Sequence, residues 1–527
     1  MGNSLQKSLY NPPLTFRDCL VDGELDIAKY FIYRRRQEQN EDAMAMASQI
    51  YLEIQRQRKR KLESVCSDDN TKRRNQTRSV KRHKILVRNE DGKLDELAPK
   101  DTIWYRLYIS APPRNQRIHD LFRRRFRLPY SCFLTLLEDV SNNEIFAEYH
   151  RHDCVGERST LLPLLLLGAL RYLGRSWTFD DLEESTAISR ESHRQFFLKY
   201  IKYGSAHLFK KYVTDAAKSL SMNDLTQLYT QAGFNGCIGS TDATHLPMLN
   251  CAAWAQVVHT GSKMKIPCRT YNVTVSHCRQ ILGTTTGHPA TFNDKTLLMF
   301  DHLLTGIHNN ELRDDHRFTL LEKDNNNEVI EVNYIGAWFI VDNGYLNWSC
   351  TVAPMKHAVS YKFIRLSEWL ESMRKDVECT FGILKGRFSV LKTGLKLRDF
   401  ELVDEVWLTC CAMHNMLLFA DGLDEGWEDG KMSHWEIQNQ HFMLPKNLSF
   451  AEIRLNRDLS SQPNYIDESE LNANDYHFIE LATENNVRYL NRLPLNTFRK
   501  LLANHFDIRF KKRSLKWPRR VRNKPKL

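Results

Sequence analysis

Cys237-Ile-Gly-Ser-Thr-Asp242 is a short apolar run that closes on a carboxylate, and it opens the part of the chain where strand patterns begin. Tyr271-Asn-Val-Thr-Val275 and Ile281-Leu-Gly-Thr-Thr285 follow, flanking a polar break as the two arms of a hairpin do. The spacing predicts strands over 236–242, 270–277, 280–286 and 337–341, and a helix over 295–304. Strand, hairpin, helix, strand, helix is the order of a mixed sheet with helices packed against it, an α/β fold. The polar stretch 308–332, with Lys323-Asp-Asn-Asn-Asn-Glu328 inside it, reads as an exposed loop or small insertion.

The best-patterned element runs from Leu366 to Phe388. Apolar residues at 366, 370, 373, 377, 381, 384 and 388 alternate steps of three and four, as one face of a helix requires. Glu378 lies off that stripe. Gly382 and Lys385 share its face, with Arg374 one turn back, so Glu378 projects amid basic residues beside a small residue that allows close approach.

Working outward, residues 1–110 form a basic N-terminal region. A helix is expected over 26–62, then a disordered basic linker over 63–95. The clusters at 56–61, 72–74 and 81–84 are of the kind that serve in nuclear import or phosphate contact, and a solvated face explains any one of them as well. Residues 115–215 read as a helical domain. Thr178 caps one helix there, Ala187-Ile-Ser189 makes a break, and Arg190–Tyr203 forms the next. Two helices around a short break resemble a helix-turn-helix, with Arg190, His193, Arg194 and Lys199 as the polar residues of the second. The α/β domain spans 230–420, a mixed polar region 421–508, and a basic arm that tracks phosphates 509–527.

The 527 residues carry a net charge of +11, which suits a polyanionic partner. The 12 cysteines form no CxxC pair, so a reducing cytosolic or nuclear compartment fits best. Neither a secretory signal nor a membrane span is expected: the leucine-rich run 161–170 is short of the roughly 20 residues a span needs.

Asp242, Asp342 and Glu378 are the acids whose settings suit metal-assisted phosphodiester chemistry: two at strand ends, one on a later helix. Hydrolysis needs an activated water and a neutralised leaving oxygen, which two divalent ions gripped by carboxylates supply. Magnesium is hard and prefers oxygen donors, so two or three acids suffice. Taken alone, an Asp at a strand end is more often a turn or capping residue. Asp294 is a fourth acid nearby, preferred as the N-cap of the following helix over a metal role. His245 either contacts DNA or makes a structural hydrogen bond. Arg374, Lys375, Lys385 and Arg387 are candidates for phosphate contact, with a solvated charged face as the equal alternative. Trp338, Trp369 and His414-Asn415 read as packing features.

Gly239-Ser-Thr-Asp242-Ala-Thr-His245, Val341-Asp342-Asn-Gly-Tyr345-Leu-Asn-Trp348 and Arg374-Lys-Asp-Val-Glu378-Cys-Thr-Phe-Gly-Ile-Leu-Lys-Gly-Arg-Phe388 resemble the three catalytic blocks of the PIF/Harbinger transposases, especially their plant-type branch. Gly287-His-Pro-Ala-Thr-Phe-Asn-Asp294 and Cys411-Ala-Met-His-Asn-Met416 are supporting matches. Ala243-Thr244 departs from the Cys and Met common in that branch, without removing a ligand. The resemblance implies an RNase H-like nuclease with Asp242 on its first strand and Asp342 on its fourth, and two Mg²⁺ or Mn²⁺ ions held by Asp242, Asp342 and Glu378. It implies cleavage at transposon terminal repeats and joining of the 3′-hydroxyl to target DNA. The expected partners are DNA, a Myb-like accessory protein and further copies of the chain, in the nucleus. Two alternatives stay open: a domesticated descendant that binds DNA or a Myb-like partner without transposing, and a metal nuclease acting on other nucleic acid.

Overall fold

The strand that by pattern ends at Asp242 runs on to Pro247 in the computed structural model, which describes residues 20–21, 24–25, 85–88, 92–113, 115–150, 161–312, 315–324, 326–355, 360–421 and 471–516. The chain divides into two compact units, Met1–Lys81 and Arg82–Leu527. In the first, Leu20–Val21 pairs with Glu24–Leu25. The helix expected over 26–62 lies outside the described residues, as do most of the 63–95 linker, the acidic loop after Asp421 and the tail after Lys516. The end of that linker is ordered as a small ribbon instead, Leu86–Arg88 against Leu94–Glu96.

In the larger unit, β1 (Cys237–Pro247) pairs antiparallel with β2 (Cys268–Val275) from Ser240↔Val275 to Pro247↔Cys268. Asp242 is therefore in mid-strand opposite Val273, not at a strand end. The extension escaped the pattern because its polar residues face inward. Thr244 is buried, Thr241 and Thr274 share a hydrogen bond at 2.8 Å, and every residue of β2 is buried. β3 (Ile281–Thr284) completes the expected hairpin, and the two-residue β4 (His288–Pro289) also pairs with β2.

The stretch 308–332, read as a loop, holds a second hairpin: β5 (Arg317–Lys323) against β6 (Val329–Ile335). Its turn is an Asx-type device in which Asp324 Oδ1 accepts from the backbone N–H of Asn326 and Glu328. Phe318 and Leu320 point inward, but Glu322 takes the third inward position, which breaks the apolar alternation. It is tolerated there because Tyr334 donates to it at 2.5 Å and Arg488 pairs with it.

β7 (Trp338–Ile340) then lies parallel to β1, and β8 (Thr351–Val352) parallel to β7. The main sheet has the order β8-β7-β1-β2-β3, with β4 on β2. β9 (Thr483–Glu484) and β10 (Val487–Tyr489) join β6 and β5 in a four-stranded sheet.

Helices cover both faces. α1 (Gln116–Phe126), α2 (Tyr130–Asn142), α3 (Leu162–Arg175), α4 (Phe179–Thr186) and α5 (Arg190–Tyr203) form one layer. α3 is apolar all round because it is buried all round. Thr178 caps α4 as expected, in a capping box with Asp181. Beyond α5 the helix continues through widened π-type turns to Asp215. Thr409 packs onto Gly204 at its start and donates to Ile201 O at 3.0 Å.

α6 (Met222–Gln231) and α7 (Ala253–His259) precede the helix expected over 295–304, which is two helices. α8 (Asp294–Leu298) stops before Phe300, and α9 (His302–His308) restarts because Asp301 Oδ1 accepts from the N–H of Leu303 and Leu304. α10 (Tyr361–Arg387) contains the Glu378 pattern, and α11 (Phe400–Asp421) packs on β2 and β3. α11 is long and apolar enough to cross a membrane, yet 72% of its most apolar window is buried inside the protein. Its Trp407 stacks on Tyr271, and Asn415 bonds both backbone groups of Ile281. α12 (Ala473–Ala482) and α13 (Leu495–Lys511) follow, and Phe498 and Phe506 pack with Trp338 and Trp369. The arm expected from Arg509 is thus helical to Lys511.

Candidate active site

Three elements bring acids together at the middle of the main sheet. Asp242 comes from mid-β1, Asp342 from the turn directly after β7, and Glu378 from α10, which packs across β1. Asp294 opens α8 at its first position. The N-cap itself is Asn293, whose side chain accepts from Thr296 N, so the capping role expected of Asp294 belongs to its neighbour. The Asp294 carboxylate lies instead against Gly344, where a Cβ would meet Oδ2 at 2.4 Å.

Burial pushes the Asp242 carboxyl up to about 6. The Ala243 N–H and Arg374 oppose that rise, and the negative charges of Asp294 and Asp342 add to it. Asp294 is raised by burial and by Asp342, with Lys263 opposing. Three carboxylates therefore crowd one another in a partly desolvated place.

Arg374 supplies the nearest counter-charge. Its guanidinium lies 3.3 Å from Asp242 Oδ2, 2.8 Å from Glu371 Oε1 and 2.8 Å from Glu378 Oε1. Burial works against its charge, and the hydrogen bond and charge of Glu371, with Glu378 and Asp242, more than restore it. Arg374, one of the candidate phosphate contacts, thus faces carboxylates.

The other candidates divide by exposure. Lys375 is exposed on α10. Lys385 instead reaches β1, donating to Thr244 Oγ1 at 2.9 Å and His245 O at 3.0 Å, and burial lowers its pKa. Arg387 is 2% exposed. Arg190 and Arg194 are exposed on α5, with Arg194 paired to Glu191, whereas His193 turns inward to Thr186 and is buried. His245 makes a structural hydrogen bond to Thr270 Oγ1 at 2.8 Å. Burial lowers its pKa to about 4, and Lys263 and Lys385 add to that. Gly382 has nothing within 4 Å of a Cβ, so no packing demands a small residue there.

Lys263 carried no advance signal, and Tyr345 stood in a motif without an assigned role. Lys263 is exposed in the 260–267 loop, which Thr291 anchors by donating to Val258 O and Gly261 by closing on Ala290. Tyr345 is buried beneath the acids and donates to Asn272 Oδ1 at 2.6 Å, and Asn272 donates to Asp301 Oδ2 at 2.7 Å. Glu371 was legible: three residues before Arg374, it shares the helix face.

A carboxylate-only donor set fits a hard divalent cation. Among the described residues, however, no three His, Cys, Asp or Glu converge as a ready-made metal cluster. Arg374 stands between Asp242 and Glu378.

The chain is a mixed α/β protein with a partly buried group of acids. Residues 210–424, the part that holds all these acids, match the family model described as plant transposon protein. The match supports a transposon-derived origin. Neither a curated protein nor a solved structure matches the chain.

Proposed function

We propose that this chain is a DDE-type transposase of the PIF/Harbinger kind, cutting DNA at transposon ends and joining the freed 3′-hydroxyl to target DNA. The observation that carries the reading is that Asp342, after the strand parallel to β1, acts on the charge of Asp242, while Arg374 links Asp242 to Glu378 on the crossing helix. The strand order supports an RNase H-like assignment. Leaving out the two-residue β4, Asp242 lies on the first main-sheet strand and Asp342 follows the fourth.

Two Mg²⁺ or Mn²⁺ ions, when bound, supply an activated water and neutralise the leaving oxygen. Asp242, Asp342 and Glu378 are the residues that would hold them. Exposed Lys263 and Lys375 stand where a phosphodiester backbone could meet them, and Arg190 and Arg194 offer a second basic face on α5. DNA, a Myb-like accessory protein and further copies of the chain are the proposed partners, and the nucleus the proposed location.

The test is cleavage of labelled terminal-repeat DNA in Mg²⁺, with and without the Myb-like protein. Specific cuts at the repeat ends support a transposase. Binding without cutting favours the domesticated descendant, and cutting without regard to the repeat favours a nuclease on other nucleic acid.

A further inference from the structure

The guanidinium of Arg374 contacts carboxylate oxygens that metal ions would also use. Its Nη1 takes Asp242 Oδ2 at 3.3 Å, while Asp242 Oδ1 already accepts from Ala243 N at 2.8 Å. Both oxygens of the central acid are therefore engaged. Nη2 takes Glu378 Oε1 at 2.8 Å. The Arg374 side chain is 11% exposed and that of Glu378 is 46% exposed, so the cation is the enclosed member and the carboxylate the accessible one. Glu371, which belongs to no metal set, grips the same guanidinium through Nε at 3.2 Å and Nη2 at 2.8 Å. A guanidinium and a divalent cation compete for carboxylate oxygens.

We propose that Arg374 is a positioning residue that holds Asp242 and Glu378 and transfers to a DNA phosphate when substrate arrives, coupling DNA binding to metal loading. This rests on the metal-nuclease reading above. The planar fork of arginine matches a phosphate as well as it matches a carboxylate, so a phosphate can replace the single contacts to Asp242 and Glu378. Glu371 keeps the guanidinium at hand by sharing its charge. By linkage, DNA must raise metal affinity by the same factor that metal raises DNA affinity.

The experiment is a Mn²⁺ titration followed by electron paramagnetic resonance on the full chain, with and without a mixed-sequence DNA duplex. The wild type, Arg374→Gln and Glu371→Gln are compared, with melting temperatures recorded alongside. Without DNA, Arg374→Gln should bind Mn²⁺ about tenfold more tightly, since one charge-assisted competitor is gone. Glu371→Gln should bind it several-fold more weakly, because Arg374 then serves only the two metal-binding acids. DNA should tighten Mn²⁺ binding in the wild type and add little in Arg374→Gln. A purely structural arginine would instead weaken binding and melting temperature together in both variants, and that result overturns the proposal. Should Arg374→Gln fail to fold, Glu371→Gln decides alone, since unchanged or tighter Mn²⁺ binding contradicts the handover. Mn²⁺ binding by the wild type that neither variant alters refutes the handover only. No Mn²⁺ binding by any form, with or without DNA, refutes the metal-nuclease reading as well.

Discussion

The Tyr345 hydroxyl donates to Asn272 Oδ1 at 2.6 Å, and this bond fastens the turn that carries Asp342 to the strand beside Asp242. Asn272 passes the tie on to Asp301, the cap of α9. Tyr345→Phe would leave a buried acceptor unmatched, a loss of about 1–3 kcal/mol. Denaturant unfolding should show that loss, and cleavage should fall because Asp342 is less firmly placed. Wild-type stability in the variant would mean the bond does not matter.

Gly287 explains part of its motif. A Cβ there would sit 2.3 Å from both Arg269 Nε and Asp404 Oδ1. Those two groups form a nearly buried ion pair at 2.6 Å, and Arg269 also donates to Gly287 O. Gly287→Ala should therefore destabilise by about 2–4 kcal/mol, through overpacking and a disturbed buried pair. Chemical denaturation checks this, and a neutral result would show that the strand can shift aside.

Gly382 predicts the opposite sign. It is exposed, in the interior of α10, with open space where a Cβ would stand. Gly382→Ala should raise stability by about 0.5–1 kcal/mol, the usual helix gain. A thermal melt decides it, and a lowered melting temperature would reveal a packing role.

Buried histidines should make the fold acid-sensitive. Burial lowers His193 and His259 to about 4 and His414 to about 3, from an ordinary 6.5. Below 6.5 the unfolded chain takes up protons that the folded chain refuses. Their contribution is therefore complete above that pH and is lost as the pH falls towards 4. Asp242, raised from 3.8 to about 6, works the other way over part of this range, so the histidines must outweigh it. Melting temperature should drop between about pH 7 and pH 5, and drop less in His414→Gln. An unchanged slope in that variant would remove His414 from the account.

Much of the site was legible because its signals are local. The Glu378 face of α10, the β2–β3 hairpin and the spacing of Arg374 from Glu378 all follow from periodicity. What escaped depends on distant partners. Glu322 reads as an exposed residue until Arg488 and Tyr334 are seen around it, so its hairpin passed for a loop. Thr244 and His245 read as lying past the end of a strand until Lys385 and Thr270 are found bonded to them. The contact of Arg374 with Asp242 joins positions far apart in the chain, and no pattern in the helix alone reveals it.

The central claim is that Asp242, Asp342 and Glu378 together form a metal-dependent cutting centre. The most direct measurement is Mg²⁺-dependent cleavage of labelled terminal-repeat DNA by the wild type and by Glu378→Gln, with the Myb-like protein present. Glu378 is exposed on its helix, so its replacement should leave the fold intact while cleavage falls by about a hundredfold or more, as expected when charge stabilisation at the reacting phosphate is lost. Cleavage by Glu378→Gln at the wild-type rate would contradict the account.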